Sequence, residues 1–456
     1  MRTYQPMLDR ATTPLRGPKP HWLTGNLAEF RKDRLAFFVR CAKEYGDIVP
    51  LRLMRYRILL LSRPDLIEDV LVTQSKNFVK HFGLRLYRPL LGDGLVTAEG
   101  DHWRRQRKLS APAFQASRIA AYAKTMVAVT FRMLDVWQQS PGVRDVHDDL
   151  SRATMEIACA TLFGDDRGAD PAAVGRALTD AMEALSHRWS RTIPLPAWAP
   201  TPENLLFRRA TRQIERIVRQ IVDRKRAAGN RDGNDLLSAL LQAQDENGSA
   251  FTDAQLLDEV RTIFLAGHET TALALTYSLH LLAENPEAQA KLQAEVDSVL
   301  NGRPPEYADM DRVPYTRSVV TESMRLFPPA DFLGREAIAD CTVGGIRVPK
   351  GTNLFMSEWV MHHDERYFRD PWSFDPDRWT PAFERSLPRF VYFPFGAGPR
   401  YCIGQTFASA EAVLGLAAIC QHFRFAPDPT FTLELWPGIT LRPRRGLRLI
   451  VSARNA

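Results

Sequence analysis

The most informative part of this sequence is the segment Phe395-Gly396-Ala397-Gly398-Pro399-Arg400-Tyr401-Cys402-Ile403-Gly404. Two glycines and a proline ahead of the cysteine cannot continue a helix, so they hold the backbone in tight turns with its N–H groups exposed. A helix is predicted to follow Gly404, and the free N–H groups and dipole at its N-terminus favour a thiolate at Cys402. Such a thiolate is a metal ligand or a nucleophile, and a buried structural cysteine is the alternative.

At every fixed position this segment resembles the haem-binding loop of the cytochrome P450 family, F-x-x-G-x-R-x-C-x-G. The resemblance implies that Cys402 is the axial thiolate ligand to the iron of a haem b, and that Phe395 and Arg400 contact the cofactor. A covalently attached c-type haem would need a C-x-x-C-H motif, which the sequence lacks.

A second motif is Ala266-Gly267-His268-Glu269-Thr270-Thr271, within a long predicted helix. At 100° per residue, Ala266, Gly267 and Thr270 fall within about 100° of arc and form a stripe of small side chains. A flat ligand lying on the helix would explain this stripe, and so would close helix–helix packing. The pattern resembles the distal helix of the P450 family, which implies that Ala266 contacts haem, Thr270 holds a water at the oxygen site and Glu269 relays protons.

A third motif pairs Glu322 with Arg325, three positions apart on one helical face, where a carboxylate and a guanidinium can meet. Any surface helix can carry such a pair. Followed by Leu326-Phe327-Pro328-Pro329, it resembles the E-x-x-R helix of the family, and Arg378 in Phe374–Trp379 resembles the arginine that completes the ion-pair triad. We interpret Glu322, Arg325 and Arg378 as structural residues that support the cysteine loop.

Further positions match family residues around the cofactor and the substrate. A buried haem brings two propionates that need cations, and the matching contacts are Trp103, Arg107, Arg335 and Arg400. The positions that match the substrate pocket are Phe82, Leu86, Phe264, Leu265, Ala330, Phe332 and Ile439. Most are apolar, which suits a hydrophobic substrate, although core packing predicts the same pattern. Asp331 is the exception, and because a pocket carboxylate needs a partner or a raised pKa, we expect its side chain to point away.

The patterning along the chain favours one α-rich domain over residues 1–456, with small β-sheets and no fused reductase or ferredoxin module. The resemblance implies the mainly α, triangular P450 fold. Most of the chain between Arg63 and Ala330 reads as helix, with a proline-rich loop between two of the helices. The predicted helices are Leu27–Tyr45, Ala169–Ser190, Leu205–Ala228, Thr252–Asn285 and Gly404–Gln421, and the loop is Thr192–Asn204. Strand pairs or hairpins are predicted over Ile48–Leu61, Val343–Met356 and Leu435–Val451.

Composition excludes several classes of protein. The chain has 456 residues, 45% hydrophobic and 25% charged, which is ordinary for a globular protein and excludes disorder, collagen and coiled coil. The net charge of +7 is spread out, so nucleic-acid binding is not expected. Five scattered cysteines favour a reducing cytoplasm, and no apolar run long enough to span a membrane or to form a signal peptide is present.

The resemblance implies a haem-thiolate monooxygenase that inserts one atom of O₂ into a hydrophobic substrate, with fatty acids, terpenoids or other lipids expected first. Electrons would come from a separate ferredoxin or flavodoxin and its NAD(P)H reductase, with no membrane anchor and a monomeric state. Three basic residues beside Trp103 are candidates for meeting an acidic donor: Arg104, Arg105 and Lys108. A peroxide-using enzyme, an isomerase or a non-catalytic haem sensor are the alternatives, and the first two are expected to lose the Glu269–Thr270 pair that this chain keeps.

Overall fold

The computed structural model of the protein describes residues 15–164, 177, 180–181, 199–227 and 233–454. Most of the predicted helix Ala169–Ser190 and most of the predicted loop Thr192–Asn204 lie outside this part. Within it the helices are α1 Leu27–Lys32, α2 Arg34–Tyr45, α3 Pro64–Glu68, α4 Phe82–Arg85, α5 Arg88–Leu91, α6 Gly100–Ser110, α7 Ala116–Gln139, α8 Val146–Phe163, α9 Pro202–Ala227, α10 Leu236–Gln242, α11 Asp253–Glu284, α12 Pro286–Leu300, α13 Pro314–Leu326, α14 Glu358–His362, α15 Pro381–Ser386 and α16 Gln405–His422.

The strands are short and form separate sheets. They are β1 Ile48–Leu53, β2 Tyr56–Leu61, β3 Phe78–Lys80, β4 Gly142–Asp145, β5 Leu333–Ala337, β6 Cys341–Val343, β7 Ile346–Val348, β8 Asn353–Met356, β9 Phe423–Pro427, β10 Leu435–Pro437, β11 Leu441–Pro443 and β12 Arg448–Ala453. The chain is thus mainly helical with small sheets, as the sequence predicts. Among the described residues, no helix is both long and apolar enough to cross a membrane.

Contacts along the chain group the residues into two compact units. The first unit comprises Met1–Arg85, Ser318–Cys402 and Glu434–Arg444, and the second comprises Leu86–Arg317, Ile403–Leu433 and Arg445–Ala456. A single domain over the whole chain stays a prediction.

The first unit is built on a sheet of five strands in the order β1-β2-β8-β5-β3, in which β8 runs parallel to β2 and antiparallel to β5. The central strand β8 is buried along its whole length, as expected when both faces of a sheet are covered. Because side chains alternate between the faces, Leu59 and Leu354 join one core and Ile58 and Phe355 join the other.

The two faces of this sheet hold different parts of the chain. One core contains Phe37 and Phe38 of α2. The other contains Val391, Phe393 and Ala397, which lie in or just before the glycine-rich cysteine segment. The sheet therefore supports that segment directly from one face.

The second unit contains the long helix α11, which packs against α8, and helix α16, which packs against α7. The N-terminus of α11 carries a capping box, in which the Thr252 side chain accepts from the N–H of Gln255 and the Gln255 side chain accepts from the N–H of Thr252. A three-stranded sheet in the order β4-β12-β9 completes the unit.

Local predictions differ from the structure at three places. The predicted helix Leu27–Tyr45 is two helices, because Asp33 is extended and caps α2 by accepting from the N–H of Ala36. The hairpin predicted over Val343–Met356 is the short pair β6–β7, and the rest joins the large sheet as β8. The hairpin predicted over Leu435–Val451 ends at β11, since β12 pairs with β4 and β9 instead.

Asp145 caps helix α8 and also accepts a hydrogen bond from the backbone just before strand β12, so its substitution tests the stability of the second unit. Its Oδ1 accepts from the N–H groups of His147, Asp148 and Leu447 at 3.1, 3.2 and 3.0 Å. We expect Asp145→Ala to lower the free energy of unfolding by about 1–2 kcal/mol, because an N-cap and a strand contact are lost together. Denaturant unfolding measures this, with Asp145→Asn as the matched control that keeps an acceptor. Equal stability of the alanine variant and the native chain would contradict the assignment.

Candidate active site

In the first unit, the cysteine segment is a turn held by its own backbone. The N–H of Cys402 donates to the carbonyl of Phe395 at 2.9 Å, and the N–H of Gly396 donates to the carbonyl of Phe393 at 2.8 Å. The side chain of Cys402 lies at the surface of the part of the chain that the structure describes. All five cysteines are described, and none of them is in a disulfide.

Gly398 shows why this segment needs glycine. Its φ of +67° is in the left-handed region, and a Cβ added there would lie 1.9 Å from the carbonyl oxygen of Leu71. The loop therefore presses its backbone against the segment after α3, and Arg400 follows at the end of a 3₁₀ turn over Gly398–Arg400. The position of Cys402 is thus fixed by close backbone packing.

Glu322, Arg325 and Arg378 come together in a buried network. Arg325 donates to the Glu322 carboxylate from Nε and Nη2, both at 2.8 Å, and Arg378 donates from Nε at 3.0 Å. The side chains of Glu322 and Arg325 are 0% exposed. The indole of Trp379 donates to the same carboxylate at 2.9 Å, a contact that the sequence analysis did not predict. Several donors on one carboxylate offset the cost of burying its charge.

His362 connects this network to the cysteine segment. The carbonyl of His362 accepts from Nη1 of Arg325 at 2.8 Å, and its ring Nε2 accepts from the N–H of Phe393 at 3.1 Å. Burial, then the neighbouring His363 and Arg325, lower the pKa of His362 well below its usual range, so the ring is neutral and Nε2 can accept. The sequence analysis missed His362, because no motif marks a histidine that acts as a backbone acceptor.

In the second unit, the central motif lies in the middle of α11. Most of this helix is buried, yet Ala266 is exposed and a Cβ at Gly267 would meet no described atom within 4 Å. Oγ1 of Thr270 donates to the carbonyl of Ala266 at 2.9 Å, which leaves the hydroxyl oxygen able to accept from a further donor. Glu269 precedes it and is 8% exposed. Within the described part of this unit, Ala266 and Gly267 are thus not covered by another helix.

The predicted cofactor and pocket residues fall into both units. Trp103 and Arg107 are half-buried on α6, and Phe264 and Leu265 are buried on α11, all in the second unit, where Leu86 is exposed. In the first unit, Arg335 is buried on β5, and Ala330 and Ile439 are half-buried. The two predicted pocket phenylalanines of this unit each pack against another aromatic ring. Phe82 stacks on Tyr56 at 3.8 Å between centroids, and Phe332 packs against Phe355 at 4.8 Å.

Asp331 has the partner that a buried carboxylate needs. Its side chain is 2% exposed and accepts two hydrogen bonds from Arg34, at 2.8 and 2.6 Å. The sequence did not indicate Arg34 as the partner, because the two residues are 297 positions apart. That the side chain points away from the substrate stays a prediction.

The basic residues of α6 are paired within the chain. Arg105 bonds Asp245 at 2.7 Å and also donates to the carbonyls of Ser249 and Ala250. Lys108 pairs with Glu246, and Arg104 pairs with Asp101. All three basic side chains thus have acidic partners within the chain, and their contact with an acidic electron donor stays a prediction.

Comparison with known proteins identifies the class. The cytochrome P450 family model matches residues 15–447, and the chain belongs to that family. It is 36% identical to cyclooctatin synthase of Streptomyces melanosporofaciens over 90% of this chain and 88% of the relative, and 35% identical to cyclooctat-9-en-7-ol 5-monooxygenase of the same organism over 87% and 86%. Pentalenene oxygenase of Streptomyces avermitilis is 33% identical over 92% and 93%.

These findings settle the general activity. The chain is a cytochrome P450 monooxygenase with the haem-iron cofactor of its family.

The hydrogen bond from the N–H of Phe393 to the ring of His362 is expected to hold the cysteine loop in place. In His362→Leu the N–H of Phe393 loses its acceptor, and an unsatisfied buried donor costs about 1–3 kcal/mol. We expect this variant to fold but to purify with markedly less haem, because the turn that carries Cys402 is loosened. Haem content per chain measures the effect, and His362→Gln, which keeps an acceptor, is the control. Full haem content in the leucine variant would show that the link does not hold the loop.

Proposed function

We propose that this protein hydroxylates or otherwise oxygenates a terpenoid, with electrons from a separate ferredoxin or flavodoxin system and haem b as its cofactor. The observation that carries the substrate class is that cyclooctat-9-en-7-ol 5-monooxygenase and pentalenene oxygenase, whose names give terpenoid substrates, are about one-third identical over nearly the whole chain. The positions predicted to contact the substrate include Phe264, Leu265 and Phe332, whose apolar side chains suit such a substrate.

The residues present fit a haem. Cys402 supplies a thiol on a rigid loop, and the exposed Ala266 beside the open Gly267 offers a flat surface on a helix that is otherwise mostly buried. Cys402 would bind the iron through its thiolate, Phe395 and Ala266 would contact the cofactor, and its propionates would be held by Trp103, Arg107, Arg335 and Arg400. When bound, thiolate-ligated haem supplies the activation of O₂ by cleavage of its O–O bond.

Thr270 and Glu269 would hold a water and supply protons for the reaction. Because the hydroxyl proton of Thr270 is committed to the Ala266 carbonyl, its oxygen presents lone pairs and holds a water by accepting from it. Glu269, the next residue along the helix, would return protons to that water from the interior. This pair supports oxygen activation over the peroxide-using and isomerase alternatives.

Cys402→Ser tests the ligand. A serine hydroxyl stays protonated at neutral pH and replaces the thiolate poorly, so we expect the reduced, CO-bound protein to lose its red-shifted Soret band. The control is Cys420→Ser, at a buried cysteine on α16. A spectrum in Cys402→Ser that matches the native protein would refute the assignment of Cys402.

Thr270→Ala tests the distal role. The variant loses the hydroxyl that holds a water, so we expect haem to bind normally while NADPH oxidation releases hydrogen peroxide instead of oxygenated product. The ratio of peroxide to NADPH consumed, measured with surrogate redox partners, should rise several-fold. Thr276→Ala, at another α11 threonine that bonds an i−4 carbonyl, is the matched control. Native coupling in Thr270→Ala would contradict the role.

The substrate class is tested by turnover on a panel of terpene hydrocarbons, terpene alcohols and fatty acids with ferredoxin or flavodoxin partners. The proposal expects oxygenated products from terpenoids that depend on NADPH and O₂. Oxygenation of fatty acids alone would overturn the substrate class, and product formation with peroxide but never with NADPH would favour the peroxide-using alternative.

A further inference from the structure

Arg34 and Asp331 form a buried ion pair beside residues that are predicted to contact the substrate. Asp331 lies between Ala330 and Phe332, two positions that match the substrate pocket of the family, and its side chain and that of Arg34 are 2% and 10% exposed. The ion pair is bidentate, with Nε of Arg34 at 2.8 Å from Oδ2 and Nη2 at 2.6 Å from Oδ1. Bidentate arginine–carboxylate pairs fix orientation as well as distance.

The same guanidinium also reaches a second pocket segment. Nη2 of Arg34 donates to the carbonyl of Gly438 at 3.0 Å, next to Ile439 at the tip of the β10–β11 hairpin. The hairpin is tied to the first segment again where the N–H of Leu441 donates to the carbonyl of Pro329 at 2.9 Å. One arginine near the start of the chain therefore bridges two segments that are about a hundred positions apart.

The first segment is also held from its other side. The carbonyl of Asp331 accepts from Oγ of Ser357 at 2.8 Å and from the N–H of Trp359 at 3.2 Å, both at the N-terminus of α14. The guanidinium of Arg34 lies 4.9 Å from the ring centroid of Phe332, within cation–π range. Backbone, carboxylate and ring of this segment are thus all fixed, and the charge of Arg34 is matched by one carboxylate.

We propose that Arg34 and Asp331 form a specificity-determining clamp that sets the position of the Ala330–Phe332 and Gly438–Ile439 segments and keeps this wall of the site neutral. The proposal rests on the function proposed above and narrows it to uncharged terpenoids. A neutral ligand meets a compensated ion pair here, whereas an anionic ligand gains nothing because the guanidinium is already satisfied. Arg34 and Asp331 act through the segments they hold and are positioning residues.

The test uses a neutral and an anionic probe of equal length, dodecan-1-ol and dodecanoate, titrated into the haem-loaded protein by isothermal calorimetry. In Asp331→Asn the guanidinium loses its counter-charge. We expect the ratio of the two dissociation constants to shift about tenfold toward dodecanoate, since a hydrogen bond to a charged group at this site is worth about that factor. An unchanged ratio in a folded Asp331→Asn protein would overturn the neutral wall.

A second variant covers the case in which Asp331→Asn fails to fold. Arg34→Met with Asp331→Leu replaces both partners by apolar side chains, which buried ion pairs often tolerate. We expect this double variant to bind haem, to show no gain for dodecanoate and to bind dodecan-1-ol several-fold more weakly than the native protein, because the two segments are no longer tied. Native affinity for dodecan-1-ol would overturn the clamp.

Asp309→Asn is the matched control, since Asp309 is 2% exposed and accepts a bidentate pair from Arg303 at 2.7 and 2.6 Å in a segment with no pocket match. It should leave the ratio unchanged, and a shift of the same size there would also overturn the proposal. The reduced, CO-bound spectrum of each protein distinguishes failure of the proposed function from failure of the clamp. Absence of thiolate ligation in the native protein would refute the proposed function. With intact spectra, the shifted ratio in Asp331→Asn would support the clamp and an unchanged ratio would overturn it.

Discussion

The hydrogen bonds that the buried carboxylate of Glu322 accepts are the interactions on which the position of the cysteine loop depends. A charge that is 0% exposed costs several kcal/mol unless it is fully paired, and Glu322 receives donors from Arg325, Arg378, Trp379 and the N–H of Asp375. The remaining donors of Arg325 go to carbonyls of His362, Pro371 and Ser373. The Glu322–Arg325 pair thereby holds the backbone at His362, Pro371 and Ser373. The ring of His362 in turn accepts from the N–H of Phe393, just before the loop of Cys402.

The same logic of committed donors applies to the distal helix and to the pocket wall. The hydroxyl of Thr270 donates its hydrogen bond to the carbonyl of Ala266, so its oxygen can only accept further hydrogen bonds. Arg34 gives its donors to Asp331 and Gly438, so its charge is compensated where two pocket segments meet. In each case the chemistry left to the site follows from which hydrogen-bonding groups the fold has already used.

Short-range features of this protein could be predicted from its sequence. The glycine-rich cysteine loop, the Glu322–Arg325 spacing and the small-residue stripe around Ala266 each follow from turn chemistry or helical period. The structure shows the turn, the ion pair and an exposed Ala266 beside half-buried Gly267 and Thr270. The long helix was predicted within one residue at each end, because Thr252 caps it and a proline at position 286 follows it.

Features that depend on long-range contacts could not be predicted. Strand β8 looks like half of a hairpin, yet it pairs with β2, whose sequence is about 300 positions earlier. His362 and Arg34 carry no local signal, since their partners are set by the packing of distant segments. The roles of Cys402, Glu269, Thr270 and the propionate contacts rest on family resemblance and stay predictions until they are measured.

Iron K-edge X-ray absorption of the purified native protein shows whether Cys402 binds iron as a thiolate. We expect one sulfur scatterer in the first coordination shell beside the four haem nitrogens, lost in the Cys402→Ser variant. A first shell of nitrogen and oxygen atoms alone in the native protein would contradict it.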